Sequence, residues 1–208
     1  MSIDYKKIEK EFYHPGTSPS IIDVPIMKFI ATDGAGDPNT SPEYSSAVEL
    51  LYSLAYAIKM NNKDKLEYVV PPLEGFWSVE GDFRGGGTAI SDKSKFHWTM
   101  LIRQPDFVTH EIFEESKLLL AKKKPALDTS KAKLISFAEG LCVQVMHIGS
   151  YDDEPKTILA LDKHAEDMGY LVDIGDTRRH HEIYLSDPRK TPTEKLKTII
   201  RHPIKKSM

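Results

Sequence analysis

The sequence contains a single cysteine, Cys142, in 208 residues, which excludes an internal disulfide and leaves too few thiols for a structural zinc site. That cysteine sits in Leu141-Cys142-Val143-Gln144-Val145, an apolar strand pattern with no base nearby in sequence. It therefore reads as a small buried strand residue rather than a nucleophile. An excess of one charge is also missing: 28 Lys and Arg stand against 31 Asp and Glu, a formal net charge of −3. Nothing electrostatic draws the chain to phosphate backbones or anionic lipid, so neither nucleic acid nor membrane is expected as a partner. There is no run of about 18 apolar residues to span a bilayer. The opening residues, Met-Ser-Ile-Asp-Tyr-Lys-Lys-Ile-Glu-Lys, lack the apolar core of a signal peptide, and a cytoplasmic location is expected.

The familiar chemical signatures are missing too. Gly34-Ala35-Gly36 follows a strand, but Asp37 and Pro38 come next, so the third glycine is lacking and an acid stands where a pyrophosphate would sit. No cofactor is expected. No Gly-x-Ser-x-Gly elbow occurs. His180 and Glu182 share one strand face, but two ligands do not make a metal site, and sequence alone cannot place His147 or Asp176 as a third. No metal is expected. Lys122-Lys123-Lys124 and Lys205-Lys206 read as solvated helix ends.

What is present is an alternation of strands and helices. Ile21 to Ala31 is rich in β-branched residues and runs into Thr-Asp-Gly-Ala-Gly-Asp-Pro-Asn, read as a loop. Ser41-Pro42-Glu43 supplies a cap, a first-turn proline and an acid at the positive end of a helix whose Val48, Leu51, Ala55 and Ile58 fall on one face. Tyr68–Val79 and Lys95–Arg103 read as strands, joined through Gly85-Gly86-Gly87. The same order returns: a strand at Leu141–Ile148, a loop, a helix at Thr157–Met168 closed by Gly169, and a strand at Arg179–Ser186. Between the copies, Thr109–Lys124 is a charged amphipathic helix, and Thr191-Pro192-Thr193-Glu194 opens a short C-terminal helix that should stop by Pro203. The expectation is one α+β domain over residues 1–208, with two β-α-β-β units at about 18–108 and 131–203 and a connecting helix at about 109–130.

Strand parity puts His180, Glu182, Tyr184 and Ser186 on one face of the last of these strands. On an edge facing water Glu182 would be a common surface carboxylate. Among aromatic side chains it would instead attract a delocalised cation, which stacking and cation–π contacts would hold. Trp98, Phe96, Met100 and Ile102 share one strand face, and Phe76 and Trp77 lie on another strand. They are candidate walls, although aromatic stripes also build cores.

At Asp33-Gly34-Ala35-Gly36-Asp37-Pro38-Asn39, Ile102-Arg103-Gln104-Pro105-Asp106-Phe107-Val108 and His181-Glu182-Ile183-Tyr184-Leu185-Ser186-Asp187-Pro188, the chain resembles the GyrI-like small-molecule-binding family over roughly residues 18 to 203. The resemblance implies a pseudo-twofold packing of the two units with a ligand groove between them, a pocket glutamate, here Glu182, and a planar aromatic or lipophilic cationic ligand. Related domains fused to helix-turn-helix activators sense such cations, whereas nothing before residue 20 reads DNA. Some stand-alone members hydrolyse the strained cyclopropane of DNA-alkylating natural products. By that resemblance the expected ligand-binding residues are Glu182, Trp98, Trp77, Phe76, Tyr184 and Met100, and the expected catalytic residues are Glu182 and Tyr184. Glu182 would take a proton from water once burial has raised its pKa, and a hydroxyl such as that of Tyr184 would meet the charge developing on the ligand's carbonyl oxygen. Ligand binding without turnover and a groove for a peptide are the alternatives.

Overall fold

A computed structural model of the protein describes residues 2–79 and 92–207, so Gly85-Gly86-Gly87 lies outside the described residues. Two single-turn helices, α1 (Tyr5–Ile8) and α2 (Lys10–Tyr13), precede β1 (Ser20–Ala35), α3 (Pro42–Asn61), β2 (Leu73–Val79) and β3 (Phe96–Gln104). Then follow α4 (His110–Lys123), β4 (Lys133–Ile148), α5 (Glu154–Asp167), β5 (Tyr170–Val172), β6 (His180–Tyr184) and β7 (Lys197–Lys206).

The strands pair in the order β4-β1-β3-β2-β6-β7, and β7 returns to β4, closing an antiparallel barrel, while β5 adds to the far end of β7. Closure leaves none of the six barrel strands with an open edge along its paired length. β1 and β2 flank β3, and β4 and β6 flank β7, with β1–β4 and β2–β6 pairing between these two sets.

Alternation along the strands sorts side chains to the two faces of the barrel wall. Phe29, Ala31, Phe76, Leu101, Cys142, Ile183 and Ile199 meet inside, joined by Phe12 and Tyr13 from α2. Outside, α3 lays Leu50, Leu51, Leu54 and Ile58 over Ile30, Trp98, Met100 and Ile102. Its start follows the predicted signals, with Ser41 Oγ accepting from the Tyr44 amide at 3.4 Å and Pro42 in the first turn. On the other half α5 lays Ile158, Leu161 and Ala165 over Val143, Val145, Ile200 and Ile204. No helix among the described residues is long and apolar enough to cross a membrane.

Several elements differ from expectation. The capping sequence at Thr191 opens only a 3-10 turn, Thr193–Lys195, and the predicted C-terminal helix is strand β7. Its β-branched Thr198-Ile199-Ile200 favours a strand, and only a strand there satisfies both β4 and β6. Lys205 and Lys206 thus end a strand, not a helix. β1 runs on through Thr32-Asp33-Gly34-Ala35, read from sequence as loop, because a Cβ on Gly34 would lie 2.1 Å from the Trp98 ring and the bare glycine lets β1 and β3 stay paired there. β2 starts at Leu73, after Pro71 and Pro72, which have no N–H to give a ladder. β4 starts at Lys133 rather than Leu141.

Candidate functional site

On β6, Ile183 and His181 turn into the barrel, so His180, Glu182 and Tyr184 face outward, in the space between the starts of α3 and α5. Glu182 lies opposite Gly75 of β2 and Ile200 of β7. Gly75 has to be bare: a Cβ there would stand 2.8 Å from Trp77 Nε1 and 3.2 Å from Met100 Sδ. The indole therefore reaches Tyr184, whose hydroxyl accepts from Trp77 Nε1–H at 2.8 Å and donates to Glu182 Oε2 at 2.7 Å.

The other carboxylate oxygen, Oε1, is 2.8 Å from His180 Nε2. His180 Nδ1 is 2.7 Å from His202 Nε2, and His202 Nδ1 is 2.6 Å from Asp162 of α5. Glu154, in the first turn of α5, completes the surroundings, buried and near enough to Glu182 that each shifts the other's acidity.

These contacts set the charges. Burial alone would raise Glu182, but the hydrogen bond and charge of His180, with the hydrogen bonds of Tyr184 and Glu154, hold it below the usual carboxylate range. Burial and the Glu182 charge drive Glu154 well above that range. The acid that burial raises is thus Glu154, not Glu182 as expected, because Glu182 has three partners that favour its anion. Burial and Glu182 likewise push Tyr184 up, and burial with Glu154 and Glu182 pushes Tyr151 to about 12. All the hydroxyls here are neutral donors at physiological pH.

Of the residues singled out from sequence, Glu182, Tyr184 and Trp77 come together. Trp98 is the cross-strand partner of Trp77 and only 1% exposed, covered by Tyr44 with ring centres 5.3 Å apart. Met100 is fully buried behind Gly75. Phe76 is not brought to Glu182. It points into the barrel, 4.5 Å from the His181 ring and 5.2 Å from Phe137, because neighbours along a strand face opposite ways. His147 bonds Thr157 and the Ser150 carbonyl, and the described residues hold no cluster of three or more His, Cys, Asp or Glu suited to a metal ion.

Five residues at the site were not found from sequence: Glu154, Asp162, His202, Tyr44 and Tyr151. His202 was hidden by the misread helix. Glu154 has the look of a helix-start acid, and Tyr44 and Tyr151 carried no signal beyond their position at the starts of α3 and α5. An open cavity of about 610 Å³ lies elsewhere, at a barrel mouth bordered by Asp33, Phe76, Thr99, Lys133, Phe137 and Arg179.

Comparison with known proteins agrees with this architecture. The GyrI-like small molecule binding domain matches residues 17–205. A conserved, uncharacterized protein from Listeria innocua is 47% identical, with 98% of this chain and 100% of that chain covered and a TM-score of 0.91. A hydrolase from the same organism is 46% identical, with 98% and 100% covered and a TM-score of 0.88. The EcmrR C-terminal domain, 15% identical with 91% and 98% covered and a TM-score of 0.54, shares the fold. No curated protein matches.

Proposed function

Because the chain belongs to the GyrI-like small molecule binding domain family, we propose that it binds planar aromatic or lipophilic cationic molecules between the starts of α3 and α5 and hydrolyses those that carry a strained cyclopropane. The observation that carries this reading is Glu182: a carboxylate only 12% exposed, kept anionic by its partners, at the edge of an aromatic cluster. Tyr44, Tyr151 and Tyr184 supply ring faces and edges for a flat ligand, backed by the buried Trp77 and Trp98, with Tyr44 6.1 Å from Trp77 and Tyr151 6.0 Å from Tyr184. A groove between the strand sets β1-β3-β2 and β4-β7-β6, where β2 pairs with β6, would let the ligand rest on the sheet.

The chemistry asks little of the protein, since ring strain makes the electrophile. Water adds its oxygen to a cyclopropyl carbon and loses a proton to Glu182. The ring C–C bond breaks, and its electron pair moves through the conjugated system to the carbonyl oxygen. Glu154, which holds the pair's proton, gives it to that oxygen, the part the sequence assigned to a hydroxyl. The proton on Glu182 then passes to Glu154 and restores the pair. Tyr184 and His180 fix the carboxylate for this exchange. A carboxyl pair with divided roles, one anionic and one protonated, suits acid–base catalysis, and hydrolases stand among the similar structures.

Incubation with a cyclopropane-bearing indole alkylator tests the reading by mass spectrometry: a product heavier by one water is expected. Bound but unchanged alkylator would reduce the function to ligand binding.

A further inference from the structure

The hydrogen-bonded string Glu182–His180–His202–Asp162 is not required for the exchange between Glu182 and Glu154. Its two imidazoles are buried, whereas Asp162 keeps 29% of its side chain exposed, so the string joins the site to solvent beneath α5. Three contacts connect the four groups, each within hydrogen-bond distance, and each needs one proton. Two neutral imidazoles bring only two. With Glu182 and Asp162 ionised, the string therefore holds one further proton, making one of the histidines an imidazolium.

We propose that this extra proton is the resting counter-charge of Glu182 and that a bound cation displaces it through Asp162, so that cation binding is coupled to proton release. This rests on the ligand site proposed above. In the resting site the shared proton offsets part of the carboxylate charge. A cationic ligand brings a second positive charge into the same low-dielectric space, and the charge free to leave is the proton. In the release step His180 Nδ1 ends as the acceptor of His202 Nε2–H, His202 passes its Nδ1 proton to Asp162, and Asp162 gives that proton to water. Afterwards Glu182 is neutralised by the ligand, and no proton is left without an acceptor.

The surroundings favour a labile proton. Burial, with the charge of His180, pushes His202 below the usual imidazole range, while Asp162 pulls the other way. The groups facing the string and the site are Glu154 on α5, Tyr151 before it, Tyr44 on α3 and Tyr184 on β6, all shifted upward, with the Asp152 and Asp187 carboxylates beside Glu154 and Tyr151. The imidazoles are the side chains whose ordinary range falls between about pH 5 and 8.

The test compares ethidium, a planar cation, with phenanthridine, its uncharged parent ring, by calorimetry across that window in buffers of different ionisation enthalpy. Wild type should release close to one proton per ethidium and none per phenanthridine, and ethidium affinity should rise by up to about tenfold per pH unit on the acid side. Asp162→Asn still accepts from His202 but removes the anion that steadies the shared proton, so ethidium should bind with little proton release and a flat pH dependence. Ethidium binding without proton release, or an Asp162→Asn variant with wild-type coupling, overturns the proposal and leaves the ligand site standing. Failure of both compounds to bind at any pH removes the site and the proposal together.

Discussion

Glu154, in the first turn of α5, is buried beside Glu182 of β6, and burial with the Glu182 charge drives Glu154 well above the usual carboxylate range while Glu182 stays below it, so one acid of the pair is neutral and the other anionic. This division distinguishes their substitutions. Glu154→Gln replaces a neutral donor with another of the same shape, so the fold and ethidium binding should stay close to wild type. Hydrolysis should fall about a hundredfold or more, because an amide has no proton to give to the departing electron pair. Single-turnover kinetics beside equilibrium binding separate the two effects, and equal loss of both would show Glu154 to be structural.

Tyr184→Phe removes a hydroxyl that serves Trp77 and Glu182 at once. The indole N–H loses its acceptor and the carboxylate loses a donor. A cost of about 1–3 kcal/mol in unfolding free energy is expected, with a shifted tryptophan emission maximum. An unchanged denaturation midpoint would mean that water replaces the hydroxyl without loss.

Gly34→Ala should be severe for so small a change. Its methyl would fall 2.1 Å from the Trp98 ring, and that ring is hemmed in by Tyr44. Overpacking of this kind costs about 1–3 kcal/mol, and the melting temperature should drop accordingly. Gly34→Ala in combination with Trp98→Phe should recover part of the loss, which a purely backbone effect would not allow.

Inside the barrel, His181 lies 3.1 Å from Glu74 and 3.0 Å from Glu139, and Glu139 also pairs with Arg201 at 2.7 Å. Burial opposes the charged ring, but Glu139 and Glu74 overcome it and raise His181 from 6.5 to about 9. Burial opposes the Glu139 anion as well, yet His181 and Arg201 lower it from 4.5 to about 2. The His181 contribution is complete below pH 6.5 and is lost as pH rises toward 9. That of Glu139 is complete above pH 4.5 and is lost as pH falls toward 2. Melting temperature should therefore be highest between these limits and decline on both sides. His181→Gln should remove the alkaline decline.

Much of this was legible in the sequence. The Ser41-Pro42 cap, the β-branched runs and the parity of β6 located α3, the strands and the outward face of Glu182, because these are local preferences. What stayed hidden depended on contacts between distant segments. A capping sequence at Thr191 outweighed the β-branched residues after it until strand closure decided for β7, and with β7 went His202. Phe76 and Trp77 were grouped by adjacency although parity separates them. The acidity of Glu182 departs from the expectation because parity shows that His180 and Tyr184 share its face but not that both bond to its carboxylate. Glu154 became a partner only through the placement of α5 over the β6–β7 surface.

The most direct test is tryptophan fluorescence titration with ethidium, comparing wild type with Glu182→Gln, which keeps the side-chain volume and removes the charge. If Glu182 anchors the ligand, wild type should show saturable quenching from Trp77 and Trp98, and the variant should bind roughly 10–100-fold more weakly, in keeping with about 1.5–3 kcal/mol for an interaction with a charged group. Equal affinity in the two proteins would contradict the assignment of Glu182 as the anchor.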